Sequence, residues 1–574
     1  MEVKFFAFWL LTLCCLMEKP NSSFEHVHRK QSDSLNKAAV VTNSFECTNI
    51  GLNILKCGGS VADAAIAALF CEGVSNPQSM GLGGGFLLTI FKKSSGTVQV
   101  LNARENAPYK AHKDMFNECG SENEMSSGGL SVAVPGELKG YWELHKKYGK
   151  LPWSHLVKPT IKLLQRGIYV SNYLSKMIKA LENEIVRSPS LKLIFLNRQT
   201  GKLYQEGDVM NRPRLAETLA KIAEKGPNVL YNGPLTDCFI QDIQDAGGVI
   251  TKDDLKKYKP RWMKPLSTTI ATDFTIYTVP SPGAGSFLLL ITDLMSRMII
   301  NCSPVTFWHR LIEVWKFAYG LKTQQSGPNM AIRNLDEHCY NSTVTHFIRC
   351  RIKDSCTSND PSNYFGVYEQ PEDHGTAHIS ILAPNGDAIS VTSTINLVFG
   401  AFFASPSTGI ILNNQMMDFA IPNRHPWKAN PSNYIKPQRQ PVSTMCPTII
   451  LSSIDNSVRM IVGASGGFKI LSATSLVVIR HLLLGECLEE AVAQPRLHHQ
   501  LVPMEIEYES GFPPAILKGL SRRGHVIKQY KTDVQCAEGS LNMPITSAVN
   551  AISVCNDNIE AIGDRRRHGY GEGF

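Results

Sequence analysis

Residues 376–397 constrain the fold more than any other stretch of this chain. Thr376 to Leu382 reads as a strand, Pro384-Asn385-Gly386-Asp387 as a tight hairpin turn, and Ala388 to Leu397 as the returning strand. Pairing about Asn385-Gly386 brings Thr394, Ile395 and Asn396 back beside Thr376, to within one residue of register. Polar groups are thereby delivered to a threonine that follows a glycine, in Asp373-His374-Gly375-Thr376-Ala377-His378. If the chain is cut before Thr376, the freed α-amine, with an ordinary pKa of about 8, suits the role of base for that residue's own hydroxyl. The plainer reading stands beside it. A threonine opening a strand is usually only a strand residue, and His374 and His378 are surface histidines or metal ligands for which no third ligand is evident nearby.

Two glycine motifs compete for attention. Gly81-Leu82-Gly83-Gly84-Gly85-Phe86 has the look of a phosphate loop, but that chemistry needs a helix N-terminus next, and Phe86 to Phe91 is an apolar strand. Close backbone packing into a sheet accounts better for these glycines. Gly463-Ala464-Ser465-Gly466-Gly467 fits a nucleophile elbow, between a strand (Val458 to Val462) and a helix (Phe468 to Leu484). Ser465 would then need an acid and a histidine, and Asp533 or Asp557 with His568 is the best pairing available. In the alternative, the glycine N–H groups stabilise an oxyanion made by another nucleophile.

A fourth set of groups suits a zwitterion. Arg104, in Asn102 to Pro108, can hold a carboxylate. Asp418, in Asn413 to Phe419, can hold an ammonium, and Ser443 with Thr444 offers hydroxyls. Singly each is an ordinary surface or capping residue; together they would read both ends of an α-amino acid.

The N-terminus points to export. Phe5 to Leu16 is apolar, about twelve residues against the roughly twenty of a membrane span. Cleavage is expected between Met17 and Ser23, with an uncleaved signal anchor as the rival. Cys14 and Cys15 leave with that segment, so an odd number of the 15 cysteines remains, and at least one thiol is free or intermolecular in an oxidising compartment. No Cys-x-x-Cys pair supports a zinc ribbon or a thioredoxin-type site. Asn301 and Asn341 lie in glycosylation sequons, as does Asn21 if it survives cleavage. A composition of 43% hydrophobic and 19% charged residues marks a globular protein. With a net charge of +8 and Arg565-Arg566-Arg567 as the densest basic cluster, no nucleic-acid partner is expected.

Along the chain, Ala38 to Asn43 reads as a buried strand, Glu46 to Lys56 as a helix, and Val61 to Cys71 as a small-residue helix capped by Ser60. Leu138 to about Ile243 is helical in pattern, Thr251 with Asp254 resembles a capping box, and Pro280 to Gly285 is a loop before another apolar helix. Ser326 to Gln370 reads as a surface loop or linker. Blocks of strand and helix suggest layered structure.

These motifs, in this order, resemble the γ-glutamyl transpeptidases, also called glutathione hydrolases, from about Ala38 to Phe574. The matching stretches are Gly58 to Ala64, Ser79 to Gly85, Asn102 to Pro108, Leu130 to Gly136, Asp373 to His378, Thr392 to Asn396, Asn413 to Phe419, Ser443 to Thr448 and Gly466-Gly467. The resemblance implies an α+β fold, the N-terminal-nucleophile hydrolase αββα four-layer sandwich. After the signal peptide, placed at 1–20 from its own residues, it implies a large subunit (21–375) and a small subunit (376–574) that form one catalytic domain as a heterodimer after self-cleavage. It makes Thr376 the nucleophile, Thr394 the group orienting it, and Gly466 and Gly467 the oxyanion hole. Arg104, Ser443 and Thr444 would hold the glutamyl α-carboxylate, and Asn396, Gln415 and Asp418 the α-amine. The implied substrates are glutathione and other γ-glutamyl compounds, with water, amino acids or dipeptides as acceptors and no metal or organic cofactor. Cys47 and Cys71 match a disulfide of animal members; a second pair is not matched.

Departures from the family pattern bear on activity. Gln415 stands where many animal members carry Glu, which removes an anion from the ammonium site and predicts weaker substrate binding. Met417 replaces the first Asp of an Asp-Asp pair, Phe468 is bulkier than the small polar residue usual there, and Ser326-Gly327-Pro328 replaces a Gly-Asp-Pro turn. They motivate a second reading, a secreted homologue that folds but acts by binding or signalling. The short signal suggests a soluble protein of a gland fluid, venom included. A Ser465 esterase is the third.

Overall fold

The computed structural model describes residues 37–117, 126–326, 335–368, 375–422, 428–530, 546–556 and 558–574. The export segment, Asn21, Gly327-Pro328, Asp373, His374, Asp533 and Asp557 lie outside the described residues.

Two antiparallel sheets carry the structure. Their strands in chain order are β1 (Ala39–Thr42), β2 (Gly85–Lys92), β3 (Thr97–Ala103), β4 (Arg261–Met263), β5 (Leu266–Ile270), β6 (Phe274–Thr278), β7 (Gly375–Leu382), β8 (Ala388–Asn396), β9 (Thr448–Ser452), β10 (Val458–Ser465), β11 (Ala548–Cys555), β12 (Asn558–Ile562) and β13 (Tyr570–Gly573). The first sheet runs β13-β1-β7-β8-β2-β3-β4 and the second β12-β11-β10-β9-β6-β5. Strands from before and after residue 375 are interleaved in the first sheet and meet side by side in the second, so neither half of the chain has a sheet of its own.

Period-2 alternation sorts the strands between layers. In β1, Val40 joins the core beneath one helical layer, whereas Ala39 and Val41 face the other sheet. In β7, Ala377, Ile379 and Ile381 do the same as Val40, which turns Thr376, His378 and Ser380 toward the space between the sheets. That space is apolar at one end, where Phe91 and Leu382 pack with Ile449 and Ile461. Elsewhere it is polar: Ser390 Oγ donates to the Val462 carbonyl at 3.0 Å and Asn550 Nδ2 to the His378 carbonyl at 2.7 Å.

Helices cover both outer faces, giving the expected αββα order. Those that matter below are α1 (Phe45–Lys56), α2 (Val61–Ser75), α3 (Glu137–Tyr148), α4 (Pro213–Lys225), α5 (Gly285–Met298), α6 (Pro304–Lys322), α7 (Ser342–Arg351) and α8 (Lys469–Val478). Ser60 caps α2 in a reciprocal box with Asp63, and Thr251 with Asp254 forms the second box. Cys47 and Cys71 are bonded across α1 and α2. The linker expected over Ser326 to Gln370 instead contains α7, capped by Asn341. Only Thr345 and Ile348 of its ten residues are buried, so its helical period is faint in the sequence. The helix expected from Phe468 to Leu484 is α8 followed by a wider π turn at Ile479–Leu483.

The Gly81–Gly85 loop is a packing device. A Cβ on Gly83 would lie 2.0 Å from the Ile411 carbonyl oxygen and one on Gly84 2.1 Å from that of Thr394. The loop presses directly under the strand end that bears Thr394.

Candidate active site

The hairpin forms as its sequence dictates, with one refinement. Leu382 to Ala377 pairs with Ala388 to Ser393 about Asn385, and the Gly386 amide closes onto the Ala383 carbonyl at 2.9 Å with Gly386 at φ +80°. This is a three-residue connection with a left-handed glycine, one residue shorter in register than pairing about Asn385-Gly386. A bulge restores the difference at the far end, where Gly375 pairs with Asn396. Thr376 therefore faces Thr394 and Ile395, and Asn396 turns left-handed at φ +76°.

At this bulge the Gly375–Thr376 peptide is surrounded by hydroxyls. Thr376 Oγ1 is in hydrogen-bond contact with the Gly375 carbonyl oxygen, the group on its own preceding residue. Thr394 Oγ1 donates to the same oxygen at 2.5 Å and lies 3.4 Å from Thr376 Oγ1. The Asn396 amide donates to Thr394 Oγ1 at 2.8 Å, which fixes that hydroxyl's orientation. The Thr376 carbonyl accepts from Arg567 Nη1 at 3.2 Å. Both threonines are buried.

A buried ion pair lies between the segments expected to hold a zwitterion. Arg104 Nη2 donates to Asp418 at 2.6 Å and to the Val442 carbonyl at 3.0 Å, and its Nε donates to the Pro441 carbonyl at 3.1 Å. Tyr258 and Gln440 hold the Arg104 carbonyl at 2.8 and 2.9 Å, so the backbone as well as the side chain is fixed. Arg104 Nη1 meets no hydrogen-bond acceptor, although the Glu105 carboxylate is 3.8 Å away. Gln415 Nε2 donates to Asp418 at 2.6 Å, leaving Gln415 Oε1 buried without a donor. A glutamate at that position would oppose the Asp418 charge; the amide supports it and keeps one oxygen for a cation. Asn396 Nδ2 donates to the Asn414 carbonyl at 3.1 Å, and its Oδ1 is likewise unmet. Ser443 and Thr444 directly follow the two carbonyls that Arg104 grips. The cluster thus leaves one buried donor, Arg104 Nη1, and two buried acceptors, Gln415 Oε1 and Asn396 Oδ1, without hydrogen-bond partners among the described residues.

The glycine elbow sits at the end of β10. Gly466 and Gly467 are left-handed at φ +117° and +61°, and a Cβ on Gly466 would lie 2.8 Å from the Ser547 backbone. Arg567 ties this corner to the hairpin, since its Nε donates to the Thr546 carbonyl at 3.0 Å while Nη1 holds Thr376. In the sequence Arg567 was merely part of a basic cluster; its burial had no local signal. Ser465 is buried with no hydrogen-bond partner for Oγ, and His568 is exposed. No triad forms around it among the described residues.

Of the two candidate histidine ligands, His378 is a core residue. It contacts Thr392 and Ser380 hydroxyls at 2.8 and 3.1 Å, its ring packs on Gly463, and burial pushes its pKa down to about 3. Among the described residues one cluster, His309, Glu313 and His525, has metal-ligand spacing. Its carboxylate is already taken by Lys316, Thr357 and Tyr364. On the back of β8, Ser393 and Tyr141 donate to Glu137 at 2.9 and 2.5 Å, and burial raises this carboxyl to about 8.

The profile described as Gamma-glutamyltranspeptidase matches residues 47–574. The chain is 38% identical to Scoloptoxin SSD14 of Scolopendra dehaani over 88% of its own length and 90% of that protein's. It is 34% identical to Glutathione hydrolase 2 of Arabidopsis thaliana over 98% of both. In structure it is similar to the cephalosporin acylase from Bacillus halodurans, with a TM-score of 0.80 at 22% identity, over 97% of this chain and 99% of that one. The four layers are those of the N-terminal-nucleophile hydrolase fold, and the chain belongs to the gamma-glutamyltranspeptidase family.

Proposed function

We propose that this protein is a self-processing γ-glutamyl hydrolase and transferase whose nucleophile is Thr376. The observation that carries the reading is the placement of the Thr376 and Thr394 hydroxyls on the Gly375 carbonyl. In the first reaction, Thr376 Oγ attacks that carbonyl carbon, the C–N bond breaks, and an ester with a free α-amine results. Water hydrolyses the ester, leaving a Gly375 carboxylate and an N-terminal threonine. Thr394, already donating to the carbonyl oxygen, would stabilise the negative charge that develops there.

In the second reaction, Arg104 with Ser443 and Thr444 takes the α-carboxylate of a γ-glutamyl compound, and Asp418, Gln415 and Asn396 take its α-amine. Recognition of both ends leaves the γ-carbonyl for Thr376. The threonine amine accepts the hydroxyl proton and passes it to the departing amine. Gly466 and Gly467 would provide the N–H groups for the oxyanion. The γ-glutamyl ester is then released to water or to the amine of an amino acid or dipeptide. Glutathione is the favoured substrate, in keeping with the glutathione hydrolases among the relatives. The large and small fragments would stay together as a heterodimer, because strands from both are interleaved in one sheet and adjacent in the other.

Export is part of the proposal, supported by the apolar run from Phe5 to Leu16 and by the Cys47–Cys71 bond. A venom or gland-fluid setting rests on the likeness to Scoloptoxin SSD14. The rival binding role drew on Met417, Phe468 and Ser326. Phe468 packs into the core of the second helical layer, and Lys322 Nζ lies over its ring, 5.4 Å from the centroid. Its bulk is thus absorbed by packing, which favours the enzyme. Turnover of a γ-glutamyl anilide, with and without a dipeptide acceptor, tests the proposal. Release of the aniline by the wild type and none by Thr376→Ala is expected; a processed wild-type protein with no turnover would favour the binding role.

A further inference from the structure

Arg567 is 1% exposed and carries its charge beside the proposed nucleophile. Nη1 donates to the Thr376 carbonyl at 3.2 Å and Nε to the Thr546 carbonyl at 3.0 Å, while Nη2 is buried and meets no acceptor. The cations around it are differently placed. Arg566 pairs with Glu509 at 2.6 Å, Arg496 with Asp564 at 2.5 Å and Lys469 with Glu507 at 2.8 Å. Arg567 forms no such pair among the described residues; backbone carbonyls and the Tyr173 ring, 5.3 Å from its Cζ, surround it. A buried charge held without a counter-ion is costly, and groups of that kind gather at functional sites.

The contact outlasts self-cleavage. Cutting before Thr376 breaks the bond on the N-terminal side of that residue, and Arg567 holds the carbonyl on its other side. Covalent geometry puts the new α-amine about 3–4 Å from that carbonyl oxygen, hence within about 7 Å of Arg567 Nη1. A like charge at that range, in a buried site, disfavours protonation of the amine by about one pH unit. The other ionisable groups near Thr376 add little net charge. Burial keeps His378 of β7 neutral and Glu137 behind β8 protonated below about 8, and Arg104 is matched by Asp418. Tyr173 and Tyr530 are buried with raised pKa values and stay neutral.

We propose that Arg567 is a positioning residue whose unpaired charge keeps the freed Thr376 amine neutral, and so able to take the hydroxyl proton, at neutral pH. This rests on Thr376 being the N-terminal nucleophile of a γ-glutamyl enzyme, as proposed above. The hydroxyl proton moves to the amine as Oγ bonds the γ-carbonyl carbon, and the resulting ammonium gives it to the departing amine as the C–N bond breaks. An amine with its ordinary pKa of about 8 is mostly protonated at neutral pH and cannot begin that sequence. The charge on Arg567 enlarges the neutral fraction, and it makes the ammonium a stronger acid for the second transfer.

The pH dependence of kcat/KM for a γ-glutamyl anilide, which reports the ionisations of the free enzyme, tests this on the self-processed full-length protein. The acid limb of the wild type is expected about one unit below the ordinary amine value of about 8. Arg567→Gln, which can still donate to a carbonyl, should move that limb up by about one unit. Arg567→Lys keeps the charge and should leave the limb near its wild-type position. A purely structural tie would instead lower the rate of Arg567→Gln at every pH with the limb unmoved, and that result overturns the proposal. If Arg567→Gln does not fold or self-process, the wild type decides, because an acid limb at about 8 or above shows an unperturbed amine and overturns it. A wild type that neither cuts itself nor turns over overturns the γ-glutamyl reading and the role of Arg567 together. An active enzyme whose limb ignores Arg567→Gln overturns the role of Arg567 alone.

Discussion

Two hydroxyl side chains compete for the role of nucleophile, and their surroundings differ. Thr376 opens β7 with its Oγ on the Gly375 carbonyl and Thr394 beside it. Ser465 closes β10 within a motif that reads more strongly, yet its Oγ is buried and bonded to nothing. The elbow places Ser465 correctly between strand and helix, but among the described residues no base or acid converges on it. A nucleophile is defined by the groups that take its proton and receive its charge, and among the described residues a second hydroxyl and a carbonyl converge on Thr376 while none does on Ser465. In the proposed reaction the elbow contributes its glycines.

Substitutions should separate the two regions by several orders of magnitude. Thr376→Ala removes the attacking oxygen and should abolish both chain cleavage and turnover, a loss on the order of 10⁴-fold or more, visible on a denaturing gel and in an anilide assay. Asp418→Asn leaves Arg104 buried beside a neutral amide. About 3–5 kcal/mol of stability should be lost, measurable by denaturant unfolding, and KM for a γ-glutamyl substrate should rise more than kcat falls. Thr394→Val keeps the shape but removes the donor to the Gly375 carbonyl. Self-cleavage should slow by about 10²-fold or more, followed as the disappearance of the full-length band over time. Ser465→Ala deletes an unpartnered hydroxyl; turnover should stay within about twofold and stability within about 0.5 kcal/mol. A large loss there would return the serine to consideration.

A separate effect concerns pH. Glu137 lies behind β8 with its carboxyl raised to about 8 by burial, so the folded protein holds a proton there that the unfolded chain releases near its ordinary value. The contribution of this group is fully present below the unfolded pKa and is lost as pH rises through about 8. Glu137→Gln should therefore flatten the decline in unfolding free energy between about pH 5 and 8. His378, whose pKa burial depresses to about 3, acts oppositely: its contribution is full above its unfolded value and is lost as pH falls toward 3.

Much of this site was legible because hairpins announce themselves locally. Asn385-Gly386 and the strands beside it placed Thr394 to Asn396 next to Thr376 to within one residue, and the remaining shift depends on a bulge that only tertiary packing sets. Strand β1, the capped α2 and the packing role of Gly83 and Gly84 also followed from residue type and spacing. Arg104 and Asp418 stood out as charges, but their direct pairing did not, since 314 positions separate them. Arg567 was hidden for the same reason: its neighbours are also arginines, and its partner Thr376 is 191 positions away. Helix α7 was missed because its buried face is two residues wide.

N-terminal sequencing of the purified mature protein tests the central claim most directly. Two chains are predicted, the smaller beginning Thr376-Ala377-His378-Ile379 and disappearing in Thr376→Ala. A single uncut chain that turns over a γ-glutamyl anilide at full rate would contradict the account.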